Sequence, residues 1–325
     1  MKAYVIREPG SVAVLGLEEV PMPVVKPGWV LIKVKAFGLN RAEIMTRQGH
    51  SGEAVAWPRV IGIECVGEVA DASDSDLEVG QKVATAMGGL GRRHDGSYAE
   101  YVLVPSEQVM PVETTLSWAE LGALPEMYLT AWGVVHEAMG ITAGQTVLVR
   151  AGTSSVGRAV IDILKDMGCM VIATTRQTEK RELLFEAGAD RVLVTAVETG
   201  ESLRRIVPAG VHGVVELVGT RETIMDSLEA CGTRGIVGLV GFLGYEWDYD
   251  WFPWMPSTVR LTRYDSETVT GGWGTAVLRR VIERVEAGRY KTNLFRTFAF
   301  DELPEAHQLM EANEASGKLV VLLDD

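Results

Sequence analysis

The residues best placed to do chemistry lie between positions 146 and 181. Thr146 to Arg150 reads as a short apolar strand. Ala151-Gly152-Thr153-Ser154-Ser155-Val156-Gly157 follows, and from Ser155 to Gly168 the side chains Val156, Val160, Ile163, Leu164 and Met167 fall on one helical stripe. A strand, a turn of small residues and a helix make an anion site, because the first N–H groups of a helix have no partner within it. Gly152 permits the tight turn and Gly157 lets the helix pack on the strand. Ser155 takes the middle position, where glycine usually lets the backbone approach a pyrophosphate, and its hydroxyl can donate instead. The same small residues also suit an ordinary strand-to-helix turn.

The next strand ends Ile172-Ala173-Thr174-Thr175-Arg176-Gln177. A site for NADH expects an acid there to bind the ribose hydroxyls. None occurs between Cys169 and Thr178; Arg176 stands at the strand end, with Lys180 and Arg181 close behind. A forked guanidinium suits a 2′-phosphate, so the expected cofactor is NADPH, held by Gly152 to Gly157 together with Thr175, Arg176 and Lys180. The bland alternative makes Arg176 a solvated loop residue.

Other candidates are more isolated. Tyr128 could donate a proton or clamp a carbonyl, or be an aromatic core residue. Arg47 and His50 read as lying on a loop that could edge a substrate cleft, with a surface histidine the plainer reading of His50. His136 reads as structural on a helix expected from Leu129 to Met139, and His212 and His307 show no partner. The aromatic run 245–254 carries Glu246, Asp248 and Asp250 between its rings, which disfavours stacking on nucleic acid; it suits a substrate wall or a subunit interface.

The elements that must position these groups divide by pattern. The first 115 residues read as strands and turns, with Val30, Ile32, Val34 and Ala36 alternating against a wetter face of Leu31, Lys33 and Lys35. From about Leu116, strands alternate with helices, which implies a parallel sheet with right-handed crossovers. A helix over 275–287, a second one capped by Asp301 and a strand over 318–323 suggest that the chain end rejoins the first domain. At 325 residues the chain is about two domains long. Its 31 basic and 44 acidic residues give a net charge of −13, a poor match for nucleic acid. Three separated cysteines argue against a disulfide framework and suit a reducing cytoplasm. The uncharged run 235–245 falls short of the roughly 20 residues of a membrane span.

Several stretches in a fixed order resemble the medium-chain dehydrogenase/reductase superfamily, and within it the zinc-free quinone oxidoreductases that include zeta-crystallin. They are Gly38-Leu39-Asn40-Arg41-Ala42-Glu43, Gly62-Ile63-Glu64-Cys65-Val66-Gly67, Gly96 to Tyr101, Leu124-Pro125 through Ala131, the turn above, Glu186 to Asp190, Gly238 to Gly241, and Ser316 to Val320. Zinc-dependent relatives carry a histidine where Ile63 stands and a cysteine ligand in the region of Asn40, and their cysteine-rich lobe would fall near 88–97, where this chain has no cysteine. The resemblance therefore implies no metal. It implies an α/β fold: a GroES-like, mostly β catalytic domain over 1–118 and 262–325, and a Rossmann doubly wound parallel-sheet domain over 119–261. It also implies that Asn40 lies near nicotinamide and substrate and Thr130 faces the cofactor. Val218 and Gly219 would contact the nicotinamide ribose, Gly241, Phe242 and Leu243 the carboxamide, and Lys318 the cofactor phosphates. The expected activity is zinc-independent reduction of a quinone or an α,β-unsaturated carbonyl by NADPH, in a cytoplasmic homodimer with no membrane partner. Hydride reaching the β-carbon would leave charge on the carbonyl oxygen, which donors must stabilise, with Tyr128 and Asn40 the candidate catalytic groups. Enoyl-thioester reduction on the same fold, or a non-catalytic NADPH-binding scaffold, are the competing readings.

Overall fold

The computed structural model describes residues 1–195, 199–243, 255–268 and 271–324. Two compact units emerge, one of Met1–Leu129, Ser266–Gly288 and Thr292–Asp325, the other of Thr130–Asp265 and Arg289–Lys291. The family resemblance implies divisions at 118/119 and 261/262. The aromatic run 245–254 lies outside the described residues.

The first unit is built on a seven-stranded sheet. Along its path the order is Leu294–Ala299, Lys318–Leu322, Trp29–Gly38, Glu64–Asp71, Lys82–Ala86 and Met110–Pro111, with Tyr101–Pro105 also paired to Trp29–Gly38. The first pair is parallel and the others antiparallel. Lys2–Ile6, flanked by Gly16–Glu19 and Arg59–Val60, forms a small second sheet. Trp29–Gly38 shows why alternation misled on one point. Leu31 and Lys35 of its expected wetter face are buried as well, so both faces of the strand are covered at these positions, and Lys35 pairs with Glu68 at 3.8 Å. Its core gathers Ile6, Val30, Ile32, Phe37, Val104, Phe298 and Val321. The return helices, Gly271–Glu286 and Leu303–Glu311, lie close to where the helical patterns place them, but Asp301 does not cap the second: it lies in a 3-10 turn, Phe300–Glu302, and Glu302 takes the cap position.

The second unit is a six-stranded, wholly parallel sheet in the order Arg191–Val194, Met170–Thr175, Thr146–Val149, Val211–Glu216, Cys231–Leu239, Arg260–Arg263. The first strand of this sheet in chain order, Thr146–Val149, is central and the order reverses beside it, which is the doubly wound arrangement with its switch point at the carboxyl end of that strand. Buried Val147, Leu148, Ile172, Val214 and Val237 make these strands apolar on both faces, as a helix-covered parallel sheet requires. Among the described residues, the helices Ser155–Asp166, Arg181–Glu186, Thr199–Ile206 and Arg221–Ala230 connect the strands. The helix expected over 129–139 starts earlier, at Pro125, runs as α-helix to Trp132 and continues as a π-helical stretch to Ala138. His136 sits in that stretch with its ring 4.2 Å from the Trp132 ring, consistent with a structural role.

All three cysteines are buried, one in the first unit and two in the second. Burial raises the Cys65 and Cys231 thiols, the latter to about 12.

Candidate functional site

In the second unit the candidate residues converge at the carboxyl end of the sheet. Ser154 caps the helix: its Oγ accepts from the Gly157 N–H at 3.1 Å and donates to the Ala151 carbonyl at 2.9 Å. Counted from Gly152, the third place of the fingerprint falls on Ser154, not on Ser155 as the sequence reading had it. The serine hydroxyl there is therefore spent on the cap. Ser155 is the first helical residue, and its N–H, with those of Thr153 and Val156, makes no bond among the described residues. These three residues are half-exposed, so the donors are open to a ligand. Gly157 carries the packing role read for it. A Cβ there would stand 2.6 Å from the Ala151 carbonyl oxygen.

The neighbouring strand completes this end. The Thr174 hydroxyl accepts from the Ala151 N–H at 3.1 Å and Thr175 closes its own turn onto Gln177. Beyond them Arg176 is exposed and forms no ion pair among the described residues. Lys180, half-buried, starts the next helix, and Arg181 lies over the Phe185 ring at 5.5 Å.

On the other side of the central strand, a buried cluster that the sequence reading missed fixes the loops at 216–219 and 240–243. Arg150, 2% exposed, holds Glu216 at 2.9 Å and Asp226 at 2.6 Å and donates to Ser227 and Thr199. Glu216 in turn accepts from the N–H groups of Val218 at 2.8 Å and Gly219 at 3.0 Å. A carboxylate clamped by a guanidinium thus orients the two residues expected at the nicotinamide ribose. The second loop is locked to the first, since Gly241 donates to the Glu216 carbonyl and Leu243 to that of Val218. Gly219, at φ 76°, would drive a Cβ to 1.9 Å from the Gly241 carbonyl oxygen, so no larger residue fits. Phe242 is half-buried, Leu243 is 38% exposed, and Thr130 is buried at the start of this unit.

In the first unit, Asn40 sits in a dry ionic knot. Its amide Nδ2 donates to Glu64 Oε1 at 2.8 Å, and its Oδ1 accepts from Lys318 Nζ at 2.6 Å. The same Nζ stands 2.6 Å from Glu64 Oε1, and Glu64 Oε2 accepts the Glu126 N–H at 2.8 Å. Lys318 is 1% exposed, so its charge is satisfied by Glu64. The expected phosphate contact for Lys318 is replaced by this pairing. Three residues on, Glu43 reaches back to the Asn40 N–H at 2.6 Å, accepts from the Ile63 N–H and takes the Tyr98 hydroxyl at 2.9 Å. Tyr98 in turn accepts from His307 Nε2 at 2.9 Å. Burial pushes Glu43 up to about 7 and His307 down to about 3, with the nearby Arg47 charge adding to the fall.

Two further expectations change here. Tyr128 is fully buried, so the core reading holds for it, and a proton donor presented to substrate is not what its burial favours. Arg47 lies within the helix Arg41–Arg47, wholly buried and ion-paired with Glu311, rather than on an open loop; His50 is exposed beyond that helix. Among the described residues no group of three or more His, Cys, Asp and Glu could hold a metal ion.

Comparison with known proteins agrees with this architecture. Residues 26–114 match the alcohol dehydrogenase GroES-like domain, and 155–285 match the zinc-binding dehydrogenase family. The 2-methylene-furan-3-one reductase of Solanum lycopersicum is 29% identical over 333 residues, spanning 99% of this chain and 79% of that protein. A mycobacterial protein solved in complex with NADPH superposes at a TM-score of 0.90 with 26% identity, over 99% of this chain and 100% of that one. A mycobacterial quinone oxidoreductase gives 0.85 with 26% identity over 99% of both chains, and an NAD-dependent alcohol dehydrogenase 0.84 with 26% identity over 100% of both. A GroES-like unit, a doubly wound dinucleotide-binding unit and this order of motifs define a medium-chain oxidoreductase. The chain belongs to the medium-chain dehydrogenase/reductase superfamily.

Proposed function

We propose that the protein is a zinc-independent, NADPH-dependent reductase of quinones or activated alkenes. The observation that carries the cofactor reading is the open N–H cradle at Thr153, Ser155 and Val156 beside a free Arg176. The residues present fit the dinucleotide: the cradle would take the pyrophosphate and Arg176 the 2′-phosphate. Thr175 and Lys180 would border the adenosine ribose, and Val218, Gly219, Gly241, Phe242 and Leu243 the nicotinamide end. When bound, NADPH supplies the hydride. Thr130 is assigned to the same cofactor. Asn40, whose amide is held by Glu64 and Lys318, is assigned to position the reacting end. The absence of a metal in this reading rests on Ile63 and Asn40 standing where zinc-dependent relatives carry ligands. The reductase named for a furanone and the mycobacterial quinone oxidoreductase support an electron-poor alkene or quinone as acceptor. A cytoplasmic homodimer is the expected form, which light scattering checks.

The test is calorimetric titration of the purified protein with NADPH and, in parallel, NADH. NADPH should bind more tightly, and Arg176→Ala should weaken NADPH by about ten- to a hundredfold while leaving NADH unchanged, the range of one or two charge-assisted hydrogen bonds. Equal affinities would remove the role given to Arg176, and binding of neither would remove the cofactor reading. A panel of quinones, enones and enoyl thioesters followed at the NADPH absorbance then separates the acceptor classes, with a chelator present to test metal dependence.

A further inference from the structure

The amino end of the second unit's sheet, opposite the Ser154 turn, holds a cavity of about 280 Å³. Met139 and Ile236 give it an apolar floor, and its polar lining comes from Gln145, His212, Thr233, Arg234 and Arg260. The Thr233 hydroxyl can donate. The amide and the imidazole can in principle either donate or accept, and in both the acceptor is already used. Gln145 Oε1 accepts the Thr142 N–H at 3.0 Å, and His212 Nδ1 accepts the Thr146 N–H at 3.0 Å. A backbone N–H can only donate, so the neutral imidazole carries its proton on Nε2, and the amide is left with its NH2. Arg234 and Arg260 are exposed and make no ion pair among the described residues. Every polar side chain named here therefore offers hydrogens, and no carboxylate is among the described lining, in a chain whose net charge is −13.

We propose that this cavity is a second ligand site for a multivalent oxyanion, separate from the dinucleotide turn at the other end of the same sheet. Two guanidinium forks supply charge and paired donors, and the Gln145 and His212 N–H groups fix orientation. A phosphate ester and a dicarboxylate share this chemistry.

The experiment is calorimetric titration of the full chain with inorganic phosphate and, separately, malonate, against chloride at equal ionic strength. Arg234 has φ 63°, so its variant is Arg234→Asn, which tolerates that backbone; its partner is Arg260→Gln. Binding of either anion above chloride, weakened at least tenfold in the double variant and retained in Arg176→Ala, supports the site, and the preferred anion tells phosphate ester from dicarboxylate. In the unaltered protein the His212 imidazole nitrogen resonances should shift on saturation, a readout that does not depend on how the variants fold. No binding above chloride, equal binding by the double variant, or loss in Arg176→Ala alone would overturn it.

Discussion

At the scale of single residues, the structure turns on charges that water does not reach. Lys318 and Glu64 are 1% and 0% exposed and share Asn40. Removing one partner of such a pair leaves the other uncompensated, so Lys318→Met should cost about 3–5 kcal/mol, seen as a lower urea midpoint. Adding Glu64→Gln should recover part of that loss; a double variant as unstable as the sum of its singles would show that the pair does not act as a unit. The Glu43–Tyr98–His307 chain gives stability a pH dependence with two opposed parts. His307 falls from 6.5 to about 3 on folding, so its contribution is lost as pH drops from about 6.5 towards 3. Glu43 rises from 4.5 to about 7, so its contribution is present in acid and lost as pH climbs from about 4.5 to 7. Between about 4.5 and 6.5 the two largely offset each other. His307→Gln, which keeps an N–H for Tyr98, should expose the Glu43 slope: urea midpoints of that variant should fall from pH 4.5 to 7 where the unaltered protein is nearly level.

At the scale of elements, caps and close approaches decide what local sequence could reveal. Ser154 satisfies the N–H of Gly157, so Ser154→Ala should lower stability by about 1 kcal/mol and loosen the cradle, which thermal unfolding and NADPH affinity would report together. The strand, turn and helix around it are legible because the signals lie within some 20 consecutive residues: an apolar run, small residues, then a helical stripe. Five strands of the parallel sheet are legible for the same reason, whereas the edge strand Arg260–Arg263, with arginines at both ends, carries no apolar run to announce it. The ionic knot is not, because Asn40 and Lys318 are 278 positions apart and Tyr98 and His307 are 209 apart, and nothing in either segment announces the other. The family resemblance makes Lys318 a phosphate contact; only the fold shows it paired with Glu64. One local signal was available, since Asn40 and Glu43 have the spacing of a helix-start pair, and Glu43 does reach back to the Asn40 N–H. The Arg150 cluster joins positions 49 to 77 apart, and its strand was read for its apolar residues rather than for the arginine that ends it.

At the scale of the molecule, ligand binding should couple to folding. At a hundred times its dissociation constant, NADPH should raise the unfolding free energy by about 2.7 kcal/mol, and the corresponding rise in melting temperature should shrink at the same concentration in Arg176→Ala but persist in the Arg234→Asn, Arg260→Gln variant. The three sheltered thiols, Cys65 in the first unit and Cys169 and Cys231 in the second, make this a molecule that reports its own opening. A fast alkylating reagent can reach none of them until the surrounding structure gives way. A pulse of reagent followed by peptide mass analysis would therefore time-stamp each half separately. A single tag at position 65 would mark the β-rich half breathing first, a pair of tags at 169 and 231 the nucleotide-binding half, and triple tagging from the outset a concerted collapse.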